Sequence, residues 1–174
     1  MFCLISTGTR WYLATIRYLN YGQPVVIALL RAWFGYGFYK AGMGKLQNFD
    51  NTVGYFASLG IPLPELNVVM AGTTECVGGV LLLSGACSRA IAVPLIFTML
   101  VAYSTQHLDE FRTLWTIRPG ATYNPVPFFK AAPFLYLLTS FLVLTFGPGV
   151  FSIDYFLKKH LDRREHVRCN HEPA

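Results

Sequence analysis

Charged side chains are scarce in this sequence: they make up 13% of its 174 residues, against about 25% in a soluble globular domain. So few charges cannot cover a water-facing surface. With 53% hydrophobic and 16% aromatic residues and a mean hydropathy of +0.41, the composition suits a chain that faces hydrocarbon, with aromatics at the two interfaces. Cysteine is sparse as well. Cys3, Cys76, Cys87 and Cys169 form neither a C-x-x-C pair nor a ladder of short spacings, which excludes a disulfide framework and a zinc site. A Walker loop, a dinucleotide-binding glycine fingerprint, a nucleophile elbow, haem-spaced histidine pairs and iron–sulfur ligation are all missing. No catalytic constellation is therefore legible. The net charge of +5 comes without a stripe of basic and stacking aromatic residues outside the termini, so nucleic acid is not an expected partner. Met1 to Thr9 lacks the basic and apolar regions of a secretory signal and any small-residue cleavage pattern, so the first span is expected to stay in the mature protein.

Long apolar runs are what the sequence does have. Crossing about 30 Å of hydrocarbon at about 1.5 Å per residue takes roughly 20 residues, and four segments come close: 24–43, 66–85, 90–107 and 131–150. In lipid each must be a helix, because every backbone group needs an internal partner. The expected fold is all-α, a single-domain integral membrane four-helix bundle. Between the first two spans, Asp50 or Asn51 can cap a short amphipathic helix, Thr52 to Leu59, ended by Gly60 and Pro62 and lying at the interface. Arg10 to Tyr21 mixes Arg and Tyr with apolar residues, as an interfacial helix or a collar before the first span would. The turn-rich stretch Arg118 to Pro127 precedes the fourth span. Residues 157–174 form a basic tail. Eight basic residues (Arg10, Arg17, Arg89, Lys158, Lys159, Arg163, Arg164, Arg168) fall on one side of this arrangement and five (Lys40, Lys45, Arg112, Arg118, Lys130) on the other. The positive-inside rule then places both termini in the cytoplasm.

Two charges interrupt the first two spans, Arg31 and Glu75. Counted from the cytoplasmic ends of their helices they lie about 10 and 15 Å deep, and an unpaired charge there costs about 2.5–3.5 kcal/mol, so the two are expected to pair or to meet trapped water. Gly35, Tyr39 and Gly42 follow Arg31, while Ala71, Gly72, Gly78 and Gly79 flank Glu75, which puts both charges on small-residue faces that allow close approach. Such a pair either fixes helix register or lines a cavity for a polar or redox-active small molecule. Near the outer end of the third span, Tyr103, Gln106 and His107 could hold a quinone carbonyl or relay its protons, or form an aromatic belt with solvated polar neighbours. Ser and Thr at membrane depth are expected to bond back to their own helices. His160, His166, Cys169 and His171 are metal-competent, but their irregular spacing matches no zinc pattern, and no metal is expected.

The order Arg31-Ala-Trp-Phe-Gly-Tyr-Gly-Phe38, Ala41-Gly-Met-Gly-Lys45-Leu46, Phe49 to Pro62, Glu75-Cys-Val-Gly-Gly79 through Arg89, and the closing Gly147-Pro-Gly-Val-Phe-Ser-Ile-Asp154 resembles the DoxX family of small bacterial membrane proteins over residues 24–156. Both ends and the stretch Thr113 to Phe129 are individual to this chain. The resemblance implies a four-helix inner-membrane protein tied to membrane redox systems, as a subunit or accessory of a quinone-linked oxidoreductase of the thiosulfate-oxidising type or of an oxidative-stress complex. Its matched polar residues are Arg31, Lys45, Glu75, Arg89 and Asp154, with no catalytic role assigned to any. The partners expected are lipid, oxidoreductase subunits and a second copy of the chain; the cofactor expected is a quinone, none being covalently bound. Two other readings stand beside this one: a non-enzymatic scaffold for peripheral enzymes, and small-molecule permeation, which no inverted repeat supports.

Overall fold

The computed structural model describes the backbone of residues 2–112 and 126–169, with side chains chiefly within 22–112 and 126–161. The described residues are helical, without strands: α1 (Phe2–Gln47), α2 (Phe49–Ser58), α3 (Pro64–Ser84), α4 (Ser88–Gln106), α5 (Leu108–Arg112), α6 (Val126–Lys130), α7 (Ala132–Phe146) and α8 (Ile153–Cys169). The turns follow local chemistry. Pro64 opens α3 from its first turn, where its missing N–H costs nothing, and Gly85 ends α3 in the left-handed conformation that suits glycine. Gly147 ends α7 in the same half of conformational space.

Several boundaries differ from those read in the sequence. The segment Arg10 to Tyr21 is not a separate interfacial element, because α1 runs unbroken through it and through Pro24. Elongating an existing helix costs far less than nucleating a new one, so a single proline does not end it. At 46 residues α1 is about 69 Å long, more than twice the hydrocarbon thickness. The short amphipathic helix begins at Phe49, three residues before the expected start, and Asn48 occupies its N-cap without a side-chain cap bond. The fourth apolar segment shortens to the 15 residues of α7, because the closing glycine–proline motif turns the chain. The basic tail is helical as far as Cys169. Most of Arg118 to Pro127 lies outside the described residues, as do His171 and the side chains of His166 and Cys169.

Four helices pack as a ring of neighbours in which α1 meets α3, α3 meets α4, α4 meets α7, and α7 returns to α1. The α1–α3 contact is the closest. A Cβ added at Gly42 would lie 2.6 Å from the Gly72 carbonyl oxygen, and one at Gly79 would lie 2.6 Å from the Gly35 oxygen, so glycines let these antiparallel backbones touch. Phe38, Leu82, Leu95, Met99 and Val143 form the central apolar cluster.

Polarity is inverted relative to a soluble bundle. Arg31, Glu75, Ser88, Thr139 and Ser140 are buried, while Leu29, Trp33, Phe97 and Phe141 are more than half exposed. Among the described residues two helices, α3 and α4, are long and apolar enough to cross a membrane; α7 is apolar but shorter.

Candidate functional site

The two charges expected at membrane depth, Arg31 and Glu75, do not meet. Gly35 lies against Gly79 and Leu83, and Gly42 against Gly72 and Cys76, a register that sets Arg31 level with the end of α3 and Glu75 level with the residues after Tyr39. The expected Arg31–Glu75 pair is therefore replaced by two separate arrangements, one at each end of the bundle. Depth counted from span ends failed because α1 extends well beyond Pro24, so Pro24 was the wrong origin for the count.

At one end Arg31, 2% exposed, spends its guanidinium on backbone. Nε donates to the Leu82 carbonyl (2.9 Å), Nη2 to Leu83 (3.3 Å), and Nη1 to Phe151 (3.2 Å) and Pro148. Leu82 and Leu83 belong to the last turn of α3, where a helix leaves unpaired acceptors, and Pro148 and Phe151 lie in the loop between α7 and α8; a planar fork of five donors suits such a set. Asp154 completes the joint. Its two carboxylate oxygens accept from the N–H groups of Cys87 (2.8 Å) and Ser88 (3.1 Å) at the start of α4, and its own N–H donates to Gly85 (3.2 Å). An anion there satisfies orphan donors and opposes the helix dipole, and it holds Cys87 at a left-handed φ of 48°. Arg89 lies beside Gly147, whose added Cβ would meet its guanidinium at 3.1 Å. Of the polar residues matched to the resembled family, Arg31, Arg89 and Asp154 thus gather here, in a clasp that ties α1, α3, α4, α7 and α8 together.

The other end is hollow. A partly open cavity of about 550 Å³ lies between α1, α2, α3, α4 and α7, a size typical of small-molecule sites. Its walls are mostly apolar and include Phe38, Phe56, Met70, Phe97 and Met99, with Glu75, Lys45, Gln106 and His107 among the polar residues. Glu75 is paired to Lys45 through Oε2, one helical turn along from the register partner of Glu75. The Glu75 side chain is 4% exposed and that of Lys45 24%, so the lysine stem covers apolar wall while its head reaches the carboxylate. Glu75 Oε1 makes no hydrogen bond among the described residues, and the Glu75 side chain lines the cavity. His107 Nδ1 lies 3.6 Å from Glu110 Oε1.

Of the group Tyr103, Gln106 and His107, the cavity takes the last two. Tyr103 turns into a different environment: it is 1% exposed, stacks on Phe128 at 4.7 Å and donates its hydroxyl to the Phe128 carbonyl (3.0 Å), fastening α6 to α4. Lys45 as the partner of Glu75 escaped sequence reading, since it was counted with the outer loop charges; α1 continuing past Met43 was the signal that would have found it. Tyr136, a polar residue within the fourth apolar segment, also lines the cavity. Among the described residues no three His, Cys, Asp or Glu side chains converge as metal ligands.

Comparison with known proteins places this architecture. The DoxX family model matches residues 26–108, which contain Arg31, Lys45, Glu75, Arg89, Gln106 and His107. Inner membrane protein YphA of Escherichia coli is 32% identical over 143 residues, covering 80% of this chain and 97% of YphA. This chain belongs to the DoxX family. It is accordingly a membrane protein, and the outward apolar faces of its helices are its lipid contact. A second DoxX-type relative, named "Putative oxidoreductase CatD" in Bacillus subtilis, is 30% identical over 143 residues, 81% of this chain and 93% of CatD. An uncharacterized membrane protein of Mycobacterium tuberculosis is 32% identical over 144 residues, 79% of this chain and 84% of that protein. No solved structure matches. The clasp residue Asp154 falls outside the family-model match although it closes the joint that Arg31 begins.

Proposed function

We propose that this DoxX protein is the membrane subunit or accessory of a quinone-linked oxidoreductase of the inner membrane, and that the cavity beside the Lys45–Glu75 pair holds the quinone. One observation carries this: a cavity of about 550 Å³ with mostly apolar walls and a buried carboxylate among a few polar groups. Apolar walls suit a ring and an isoprenoid tail, and a small number of placed polar groups fixes the oxygen atoms. The relative named as an oxidoreductase supports a redox setting. Electrons would come from a partner subunit, because this chain contains neither haem-spaced histidine pairs nor cluster cysteines. In this reading α1, α3, α4 and α7 all cross the bilayer as a four-helix membrane bundle, with α2 on the outer leaflet over the cavity. The basic bias of the clasp side and of α8 puts both termini in the cytoplasm.

Purification in mild detergent, solvent extraction and mass spectrometry test the proposal. Quinone recovered in stoichiometric amount, and reduced in a Glu75→Gln variant, is the expected result; protein free of quinone whose stability is unmoved by added short-chain quinone overturns it. A scaffold for peripheral enzymes is the second reading, favoured by exposed Lys158 and Lys159 on α8 and by the basic residues after them. Soluble protein co-purifying without quinone is the outcome that would select it.

A further inference from the structure

Polar and apolar lining lie on different sides of the cavity. Lys45 and Glu75 join across the α1–α3 side, whereas Met70 on α3 with Phe97 and Val101 on α4 supply apolar wall on the α3–α4 side. These three side chains line the cavity and also stand on the outer surface, at 58%, 67% and 37% exposure. Phe97 lies midway along α4, so this stretch of surface faces hydrocarbon rather than water.

The two helices touch near their connecting turn and border the cavity beyond it. A Cβ added at Gly78 would lie 2.8 Å from the Leu95 side chain, which marks the close contact. Past that point Ala71 and Thr74 on α3, and Thr98, Ala102 and Thr105 on α4, line the cavity. Their side chains are short, and a seam between two helices is closed only by side chains large enough to fill it. Pro94 stands where the contact gives way to the cavity, and it takes one backbone hydrogen bond out of α4. The seam on the far side is plugged. There Tyr136 of α7 packs edge-on against Phe34 (5.1 Å) and Phe38 (4.8 Å) of α1.

We infer that the cavity opens sideways into the bilayer through the α3–α4 seam, and that its ligand is a long-tailed amphiphile whose tail runs out between Met70, Phe97 and Val101. The inference rests on the quinone reading above and adds the way in and the path of the tail. The ring and its oxygen atoms sit toward Lys45 and Glu75. Tail methylenes lose nothing by staying at the rim and in lipid, since lipid tails are as apolar as the side chains they would meet. Only the ring leaves the membrane for the cavity, so the ligand exchanges without crossing water.

A photolabel locates the tail. The full chain in lipid nanodiscs is irradiated with a fully substituted benzoquinone whose decyl tail carries a diazirine, with and without excess unlabelled decyl quinone, and the adducts are mapped by mass spectrometry. Adducts on Met70, Phe97 or Val101 that the excess suppresses are expected. Suppressible adducts on Ala41 and Ala132, which line the cavity from α1 and α7, or on Gln106 and His107, overturn the portal and leave the quinone site standing. If excess quinone suppresses no adduct, the quinone reading itself fails. Ala102→Phe narrows the seam: it should raise the Kd of the decyl quinone about tenfold and leave unchanged that of the same ring bearing a methyl group in place of the tail. Equal shifts for the two ligands, or no shift for either, overturn the path of the tail. If Ala102→Phe does not fold, the photolabel on the unaltered protein decides alone.

Discussion

Replacing Gly79 by alanine adds one methyl group where α3 meets α1, and the geometry dictates the sign of the effect. The new Cβ would lie 2.5 Å from the Tyr39 nitrogen, 2.6 Å from the Gly35 oxygen and 3.0 Å from Tyr39 Cα. All three are backbone atoms, so no rotamer change relieves the overlap, and the helices must part by about 0.9 Å to restore ordinary contact. Overpacking of this kind costs about 1–3 kcal/mol, of which the better helix propensity of alanine returns about 0.5–1 kcal/mol. A net loss of about 1–2 kcal/mol is expected. Gly44 is the internal control: it sits in the same helix pair with nothing within 4 Å of its would-be Cβ, so Gly44→Ala should gain about 0.5–1 kcal/mol from propensity alone. Unfolding of both variants by an ionic denaturing detergent in mixed micelles, followed by far-ultraviolet circular dichroism, reads the difference. If Gly79→Ala and Gly44→Ala shift the midpoint in the same direction by similar amounts, the close α1–α3 seam is not what holds these helices.

Arg31→Met strips four backbone carbonyls of their donor, and at about 1–3 kcal/mol for each buried group left unsatisfied it should lower stability by several kcal/mol; Arg31→Lys, with three donors and no fork, should fall between, and a thermal melt in detergent ranks the three proteins. Lys45→Met leaves the Glu75 carboxylate buried and alone, a loss of about 3–5 kcal/mol, whereas the double variant Lys45→Met with Glu75→Leu should recover most of it in the same melt. Asp154→Asn keeps one acceptor of two at the start of α4 and loses the charge, which should cost about 1 kcal/mol, read as faster amide hydrogen exchange at Cys87 and Ser88. Tyr103→Phe removes only the bond to the Phe128 carbonyl: a drop of about 1 kcal/mol with ligand binding in the cavity unchanged is expected, and altered quinone affinity would return Tyr103 to the site.

That the chain is helical, and where its apolar runs lie, could be read along the chain, because apolar run length and helix-ending glycines and prolines act within a few residues. Small residues around Arg31 and Glu75 likewise announced a close α1–α3 contact, since closeness depends only on what each position carries. Which charge meets which lay beyond that reach. Pairing depends on the register between two helices, and a shift of two turns, about 11 Å, exchanges one partner for another without changing either pattern. Tertiary packing therefore decided that Arg31 serves backbone carbonyls at one end, that Lys45 returns to Glu75 at the other, and that Tyr103 leaves the group it adjoins in sequence. The cavity is likewise a property of packing alone: it is space between five helices, lined by residues from Phe38 to Tyr136, and no single segment encodes a void. Residue chemistry by itself determined that this protein lives in lipid with charges inside it; only the register of its helices settled what those charges touch.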